Sequence, residues 1–154
     1  MHEADIATRP CAGRAEWPRI VAIWRSAVEA THDFLAPEDI DHYEGRVAAD
    51  YLPQVDLTVA VADGGIIGFS GLADGKLEML FVDPHRRGRG VGTVLLREAM
   101  ANVPGLLVDV NEQNEQAVGF YRRHGLVTIG RSATDPDGRP FPILHLAVPP
   151  AITR

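Results

Sequence analysis

Residues 77–97, LEMLFVDPHRRGRGVGTVLLR, decide the fold of this chain. The first six residues are mostly apolar and predict a β-strand, which ends before Pro84 because proline has no N–H to donate to a ladder. Three glycines follow at alternate positions: Gly88, Gly90 and Gly92. Glycine allows a sharp turn and leaves backbone N–H groups uncovered. Apolar residues then recur at helical spacing from Val91, so the stretch predicts a strand, an anion-binding loop and a helix.

Two well-known phosphate loops match this stretch poorly. The Walker pattern requires a Lys-Ser/Thr pair after its second glycine, and the chain has none there. The dinucleotide fingerprint places its third glycine where Thr93 stands, although Asp109 lies near the distance expected of a ribose-binding acid. That fingerprint also follows the first strand of its βαβ unit, whereas roughly half of this chain precedes the loop. A dinucleotide-binding reductase domain is therefore the disfavoured alternative.

A second motif occupies residues 111–126, NEQNEQAVGFYRRHGL, directly after the short apolar run LLVDV. The apolar run predicts a buried strand. Asn114 is placed to cap a helix, and Gly125 is placed to end it just after three basic residues. The second motif therefore predicts another strand followed by a short helix.

The two motifs together resemble those of the GCN5-related N-acetyltransferase (GNAT) superfamily. Its motif A has the Arg-x-x-Gly-x-Gly order seen at residues 87–92. Its second signature, Asn-x-x-Ala-x-x-Phe-Tyr-x-x-x-Gly-Phe, begins here at Asn114 and has Leu126 in place of the last phenylalanine. With residues 22–35 added, the likeness extends to a bacterial branch of peptidyl-lysine N-acetyltransferases.

The resemblance implies an acetyl-CoA-dependent enzyme that works by direct attack of an amine. It implies one domain over residues 1–154, with central strands that splay around the pantetheine arm. Backbone groups near Leu80 and Val82 are expected to bind that arm, and amides of the glycine loop are expected to bind the pyrophosphate. The residues assigned to acetyl-CoA are Leu80, Phe81, Val82, Arg87, Gly88, Arg89, Gly90, Val91, Gly92, Thr93, Asn114 and Phe120. For Asn114, a purely structural cap is an equal alternative.

Two residues are predicted to be catalytic. Tyr121 matches the family tyrosine that protonates the leaving sulfur, although a core aromatic of an amphipathic helix is the alternative. A base should help as well, since a lysine amine with a pKa of about 10.4 is neutral in only about one molecule per thousand near pH 7. Glu78 shares the strand parity of Leu80 and Val82 and is the candidate base; a surface carboxylate beside Lys76 is the other interpretation.

The acceptor side is predicted near His32 and Asp33, at the break between the first two helices, which borders the acceptor cleft in this family. A His-Asp pair there would bind or deprotonate an amine, and local turn formation is the alternative. The His, Cys and Asp residues show no metal-ligand spacing, so no metal is predicted. A non-catalytic acyl-CoA sensor and an enzyme that acetylates a small amine remain open.

Charge is distributed unevenly along the chain. The net charge of −6 disfavours nucleic acid as a partner. Residues 29–56 contain eight acids and one arginine, whereas residues 84–97 contain four arginines and no acid. This pattern suits an anionic cofactor and a cationic acceptor, with a solvated helix face as the alternative for the acidic stretch.

The remaining composition predicts a soluble cytoplasmic protein. One cysteine, no secretory signal pattern and no apolar run near ~20 residues fit a reducing compartment without a membrane partner. The expected partners are acetyl-CoA and an amine acceptor, with the chain acting as a monomer or homodimer. Turn signals at residues 63–65 and 134–140 predict hairpins, and the element order is β-α-α-β-β-β-α-β-α-β-β. That order predicts an α/β fold with a mixed sheet and helices on both faces.

Overall fold

A computed structural model describes residues 5–150, and in this range the strands form one mixed sheet. The strands are β1 (Ala7–Pro10), β2 (Asp56–Ala62), β3 (Gly65–Ala73), β4 (Lys76–Val82), β5 (Leu107–Asn111), β6 (Val127–Ser132) and β7 (Ile143–Ala147). Their spatial order is β1-β2-β3-β4-β5-β7-β6, and among these pairs only β4 and β5 run parallel. The mixed sheet confirms the predicted fold class.

Four α-helices occupy the described residues in the predicted order: α1 (Trp17–Thr31), α2 (Pro37–Arg46), α3 (Val91–Asn102) and α4 (Glu115–Arg123). The sequence predicts a second helix over roughly residues 38–50, but regular α-helix ends at Arg46 and a π-helical turn, Val47–Tyr51, continues it. It also predicts a first strand over residues 4–9; the strand begins at Ala7, and residue 4 lies outside the described residues.

The helices pack on both faces of the sheet. One core joins α1 and α2 to β2, β3 and β4, with Ile20, Ile23 and Phe69 fully buried in it. Two further cores lie under α3 and α4. Helix α3 crosses the sheet at Gly68, where an added Cβ would lie 2.9 Å from Cγ1 of Val91. This close approach seats the start of α3, and with it the glycine loop, against the sheet.

The parallel strands β4 and β5 are paired only at their beginnings. Their register comprises Lys76 opposite Leu107 and Leu77 opposite Val108. Beyond these pairs the strands separate, which confirms the predicted splay of the central strands. The splay opens the sheet between its two faces.

A β-bulge in β4 corrects the predicted orientation of Glu78. Leu77 pairs with Leu72 and Met79 pairs with Gly71, so Glu78 is the extra residue. Leu77 consequently packs into the α3/α4 core, while Met79 packs into the α1/α2 core. Because a bulge interrupts the alternation of side chains, Glu78 does not share the face of the residues two and four positions further on.

Candidate active site

Two cavities meet at the splayed strands. The smaller, of about 400 Å³, lies beneath the glycine loop and is bounded by α1, β4, α3 and α4. The larger, of about 630 Å³, lies on the α1/α2 side of the sheet. His32 and Phe81 line both cavities. The two cavities therefore adjoin at these two residues, beside the splay of β4 and β5.

The smaller cavity gathers the residues predicted to bind the cofactor, with one exception. Eleven of the twelve line it. Arg89, the twelfth, is exposed and does not line the cavity, because it stands between two glycines of a tight turn. Arg86 and Arg123, for which the sequence leaves phosphate contact and solvated surface as equal alternatives, do line the cavity. Arg86 is also held by Asp63 at 2.8 Å.

The glycine loop has the backbone that its sequence predicts. Gly88 and Gly90 have φ angles of +73° and +86°, a left-handed region that favours glycine, and Gly90 is the N-cap of α3. The N–H groups of the first helical turn have no intrahelical acceptor and lie against the cavity. Gly92 serves packing, since an added Cβ would lie 3.3 Å from the ring of Phe120. This loop suits an anionic diphosphate.

Tyr121 lies at the inner wall of the smaller cavity. Tyr121 is 7% exposed and belongs to the α3/α4 core, so it is more buried than Phe120, although the sequence favours Phe120 as the core residue of the two. Burial alone raises the pKa of Tyr121, and no described residue forms a hydrogen bond to its hydroxyl. The group therefore keeps its proton at neutral pH and is free to donate it into the cavity.

A hydrogen-bonded chain joins the end of α1 to the start of α4. Asn114 caps α4 by accepting from the Ala117 N–H at 3.2 Å, so its amide nitrogen lies 3.5 Å from Nε2 of His32. Nδ1 of His32 lies 2.8 Å from the hydroxyl of Thr31, which donates to the Ala27 carbonyl. Every donor has an acceptor only if His32 is neutral, protonated on Nδ1. Burial accordingly lowers the pKa of His32 to about 4, against a weaker opposing effect of Asp33.

We expect the neutral state of His32 to make stability pH-dependent. Between pH about 6.5 and about 4 the unfolded chain takes up a proton at this histidine while the folded chain does not, so acid favours unfolding. The loss approaches on the order of 3 kcal/mol by pH 4. Urea unfolding of wild type and His32→Gln at several pH values measures it: the difference between the two proteins should shrink as pH falls. Parallel stability curves from pH 7 to pH 4 would contradict it.

Asp33 does not contribute to either cavity. It is exposed and lies just beyond the end of α1, so the predicted His-Asp pair is not formed at the acceptor side. His32 alone reaches the cavities. The local alternative, in which Asp33 belongs to the turn after α1, matches the structure.

Polar groups cluster on the wall of the larger cavity that β4, β5 and β7 form. Glu78 lines this cavity; partial burial raises the pKa of its carboxyl, and Lys76 opposes the effect. Asp109 binds Nζ of Lys76 at 2.9 Å and Nδ1 of His145 at 2.6 Å. Burial acts to raise the pKa of Asp109, but these two hydrogen bonds outweigh it and lower the pKa. Sequence reasoning missed this cluster, although the alternating polar positions 109 and 111 of β5 were a signal.

The larger cavity is roofed by α2 and by the loop between β6 and β7. This roof is fastened by Tyr43 with Asp135, Arg46 with Asp137, and Arg139 with Asp39. Tyr43 and Asp135 also line the cavity. The roof covers part of the cavity on the side opposite the sheet.

Most of the acidic stretch is neutralised by neighbouring arginines. Arg25 binds Glu29, Asp41 and Glu44 at 3.0, 2.7 and 3.2 Å. Arg46 binds Asp50, and Arg139 binds Asp39. The stretch is therefore largely an ion-paired helix surface, and the carboxylates that face the larger cavity come from the strands and the β6–β7 loop instead.

The described part of the chain has neither a cluster of metal ligands nor a membrane-crossing helix. No group of three or more His, Cys, Asp or Glu in residues 5–150 is arranged to hold a metal ion. Among the helices of the same residues, none has both the length and the apolar character needed to cross a bilayer.

Residues 53–127 match the acetyltransferase (GNAT) domain, and curated proteins from two bacteria match most of the chain. The chain belongs to the GNAT acetyltransferase family and is an N-acetyltransferase.

Both of those relatives are named peptidyl-lysine N-acetyltransferase YjaB. The Salmonella typhimurium protein is 44% identical over 135 residues, which are 87% of this chain and 92% of the relative. The Escherichia coli K12 protein is 46% identical over 133 residues, which are 86% of this chain and 90% of the relative. The solution structure of apo YjaB from Escherichia coli has a TM-score of 0.87 at 44% identity, covering 95% of this chain and 99% of that one.

Proposed function

We propose that this N-acetyltransferase moves the acetyl group of acetyl-CoA to the ε-amine of a protein lysine in the cytoplasm. The observation that carries the proposal is the junction of the two cavities at His32 and Phe81. One cavity lies under a loop suited to diphosphate, and the other carries the carboxylates Glu78 and Asp109. An acyl donor and a cationic amine would therefore meet at the splay.

The residues of the smaller cavity fit coenzyme A. The left-handed Gly88 and Gly90 hold the loop open, so its amides would bind the pyrophosphate, with Arg86 and Arg123 nearby. Bound acetyl-CoA supplies a thioester whose carbonyl an amine can attack. Most of the binding would fall on the backbone, so the glycine positions would matter more than individual side chains.

Two side chains would move protons. Tyr121, with a free hydroxyl that retains its proton, would donate to the departing sulfur. Glu78, which the bulge turns into the larger cavity, would attract the ammonium group of the acceptor and is the first candidate for its base. Both roles follow from the position of each group in its cavity.

The names of the YjaB relatives support protein lysine as the acceptor. A small cationic amine is the alternative, and the roof over the larger cavity favours it, since the fastened loop limits how closely a folded substrate could approach. A lysine side chain on a flexible peptide satisfies both observations.

An acetylation assay tests the proposal. The purified chain is incubated with acetyl-CoA and lysine-bearing peptides, with arginine-substituted peptides as matched controls and a panel of polyamines and amino-acid amines alongside. We expect acetyl-lysine by mass spectrometry, equivalent thiol release, and a melting temperature raised by about 5–10 °C at acetyl-CoA near a hundred times Kd. Binding without amine-dependent thiol release would identify a sensor module, and absence of binding would contradict the proposal.

A further inference from the structure

Three neighbouring strands place a serine, a histidine and an aspartate in one hydrogen-bonded chain on the wall of the larger cavity. Oδ1 of Asp109 on β5 lies 2.6 Å from Nδ1 of His145 on β7, and Nε2 of His145 lies 2.7 Å from Oγ of Ser132 on β6. All three residues line the cavity. None of the roles assigned above uses His145 or Ser132.

The hydrogen bonds fix the tautomer of His145. A carboxylate only accepts, so Nδ1 donates to Asp109 and Nε2 is left to accept from the hydroxyl of Ser132. The second oxygen of Asp109 is held by Lys76, which prevents the carboxylate from turning away. These hydrogen bonds also accommodate a protonated ring on His145, because the Ser132 hydroxyl can rotate to accept from Nε2–H while Asp109 balances the charge.

The surroundings of Ser132, His145 and Asp109 favour the binding of a cation. Glu78 and Asp109 bring two carboxylates to the same wall, and Lys76 offsets one of them. The titratable groups that face the cavity with His145 are His32, Tyr43, Tyr51, Glu78, Asp109 and Asp135. Ser132 and His145 line only the larger cavity and not the one beneath the glycine loop. The hydrogen-bonded residues Ser132, His145 and Asp109 therefore lie in the cavity proposed for the amine, and not in the one proposed for the cofactor.

We propose that Ser132, His145 and Asp109 form a proton relay that takes the place of Glu78 as the base and deprotonates the ammonium group of the acceptor, while Glu78 attracts that group. This inference rests on the proposed function. The ammonium nitrogen gives a proton to Oγ of Ser132 while the hydroxyl proton of Ser132 passes to Nε2 of His145. Serine stays neutral, the imidazole becomes a cation paired with Asp109, and the amine becomes a neutral nucleophile. The imidazolium later returns its proton to solvent.

The test compares wild type with His145→Gln and Asp109→Asn in kcat at saturating acetyl-CoA and amine, from about pH 5 to about pH 9. Wild-type kcat should fall toward acid, because a ring that already carries both protons cannot accept one from Ser132. Each variant should lose about 100-fold or more in kcat at neutral pH, and His145→Gln should lose the acid limb of the profile. Asp109→Asn should also lose this activity. Lys76 would take the amide oxygen, so the amide N–H would face Nδ1 and force the proton of the ring onto Nε2.

His42→Gln is the matched control. His42 forms a similar pair with Asp137 at 3.1 Å, but it does not line the larger cavity. It should keep the kcat and the pH profile of wild type. Acetyl-CoA affinity, measured by calorimetry, should stay unchanged in all three variants, since their side chains do not line the smaller cavity.

A second measurement is independent of turnover. The ¹⁵N shifts of His145 in the free protein should show a neutral ring protonated on Nδ1, and Asp109→Asn should move the proton to Nε2. A profile unchanged by His145→Gln, an acid limb that disappears only in Glu78→Gln, or an acetyl group trapped on Ser132 would overturn the relay. If wild type binds acetyl-CoA but releases no thiol with any amine, the proposed function fails instead.

Discussion

Tyr121→Phe should lower kcat about 100-fold or more while the Kd for acetyl-CoA changes by less than about threefold. The substitution removes one hydroxyl that has no hydrogen-bond partner among the described residues and leaves the ring in the α3/α4 core. Since burial raises the pKa of this hydroxyl, it carries a proton at neutral pH, as a general acid must. Steady-state kinetics with calorimetry of acetyl-CoA binding measure the two effects separately.

Unfolding in urea supplies the control for this substitution. Because the hydroxyl makes no hydrogen bond that folding could lose, the free energy of unfolding should change by less than about 1 kcal/mol. Phe120→Leu should give the opposite pattern, because the Phe120 ring packs on Gly92 of the cofactor loop: affinity falls more than kcat. A parallel loss of affinity and kcat in Tyr121→Phe would show that Tyr121 only packs.

The sequence predicts the local structure on the cofactor side of the candidate site, because its signals there are local. Gly88 and Gly90 must adopt left-handed backbone, Pro84 must follow the end of a strand, and Asn114 must cap a helix, whatever the rest of the chain does. Each follows from a few neighbouring residues. The structure shows all three features.

The acceptor side of the candidate site depends on pairings between distant segments of the sequence. Sequence reasoning did not predict those pairings. His145 seemed isolated, yet the strand order β5-β7-β6 places it between Asp109 and Ser132. Glu78 was assigned to the wrong face because the bulge depends on how β3 pairs with β4. The acids of residues 29–56 left an acceptor-binding surface and a solvated helix face as alternatives, because two of their arginine partners, Arg25 and Arg139, lie outside that stretch of sequence.

Gly90→Ala should weaken acetyl-CoA binding by about tenfold or more. Gly90 has a φ of +86° at the N-cap of α3, where a residue with a Cβ pays about 1–2 kcal/mol to remain left-handed. The loop relieves that strain by turning the backbone N–H groups that would bind the diphosphate. Each 1.4 kcal/mol of binding free energy lost raises Kd by about a factor of ten. Calorimetry with acetyl-CoA measures Kd, and urea unfolding of the same protein measures the cost to stability.

Gly64→Ala separates backbone strain from loss of the binding loop. Gly64 has a φ of +79° in the β2–β3 turn, and an added Cβ there meets no atom within 4 Å. It should therefore cost a similar free energy of unfolding and leave the Kd for acetyl-CoA unchanged, since Gly64 does not line either cavity. If both variants lose affinity for acetyl-CoA to the same extent, general destabilisation explains the effect of Gly90→Ala, and the amides of the loop do not hold the diphosphate. If only Gly90→Ala binds weakly, the left-handed backbone at the start of α3 is needed for the binding surface itself.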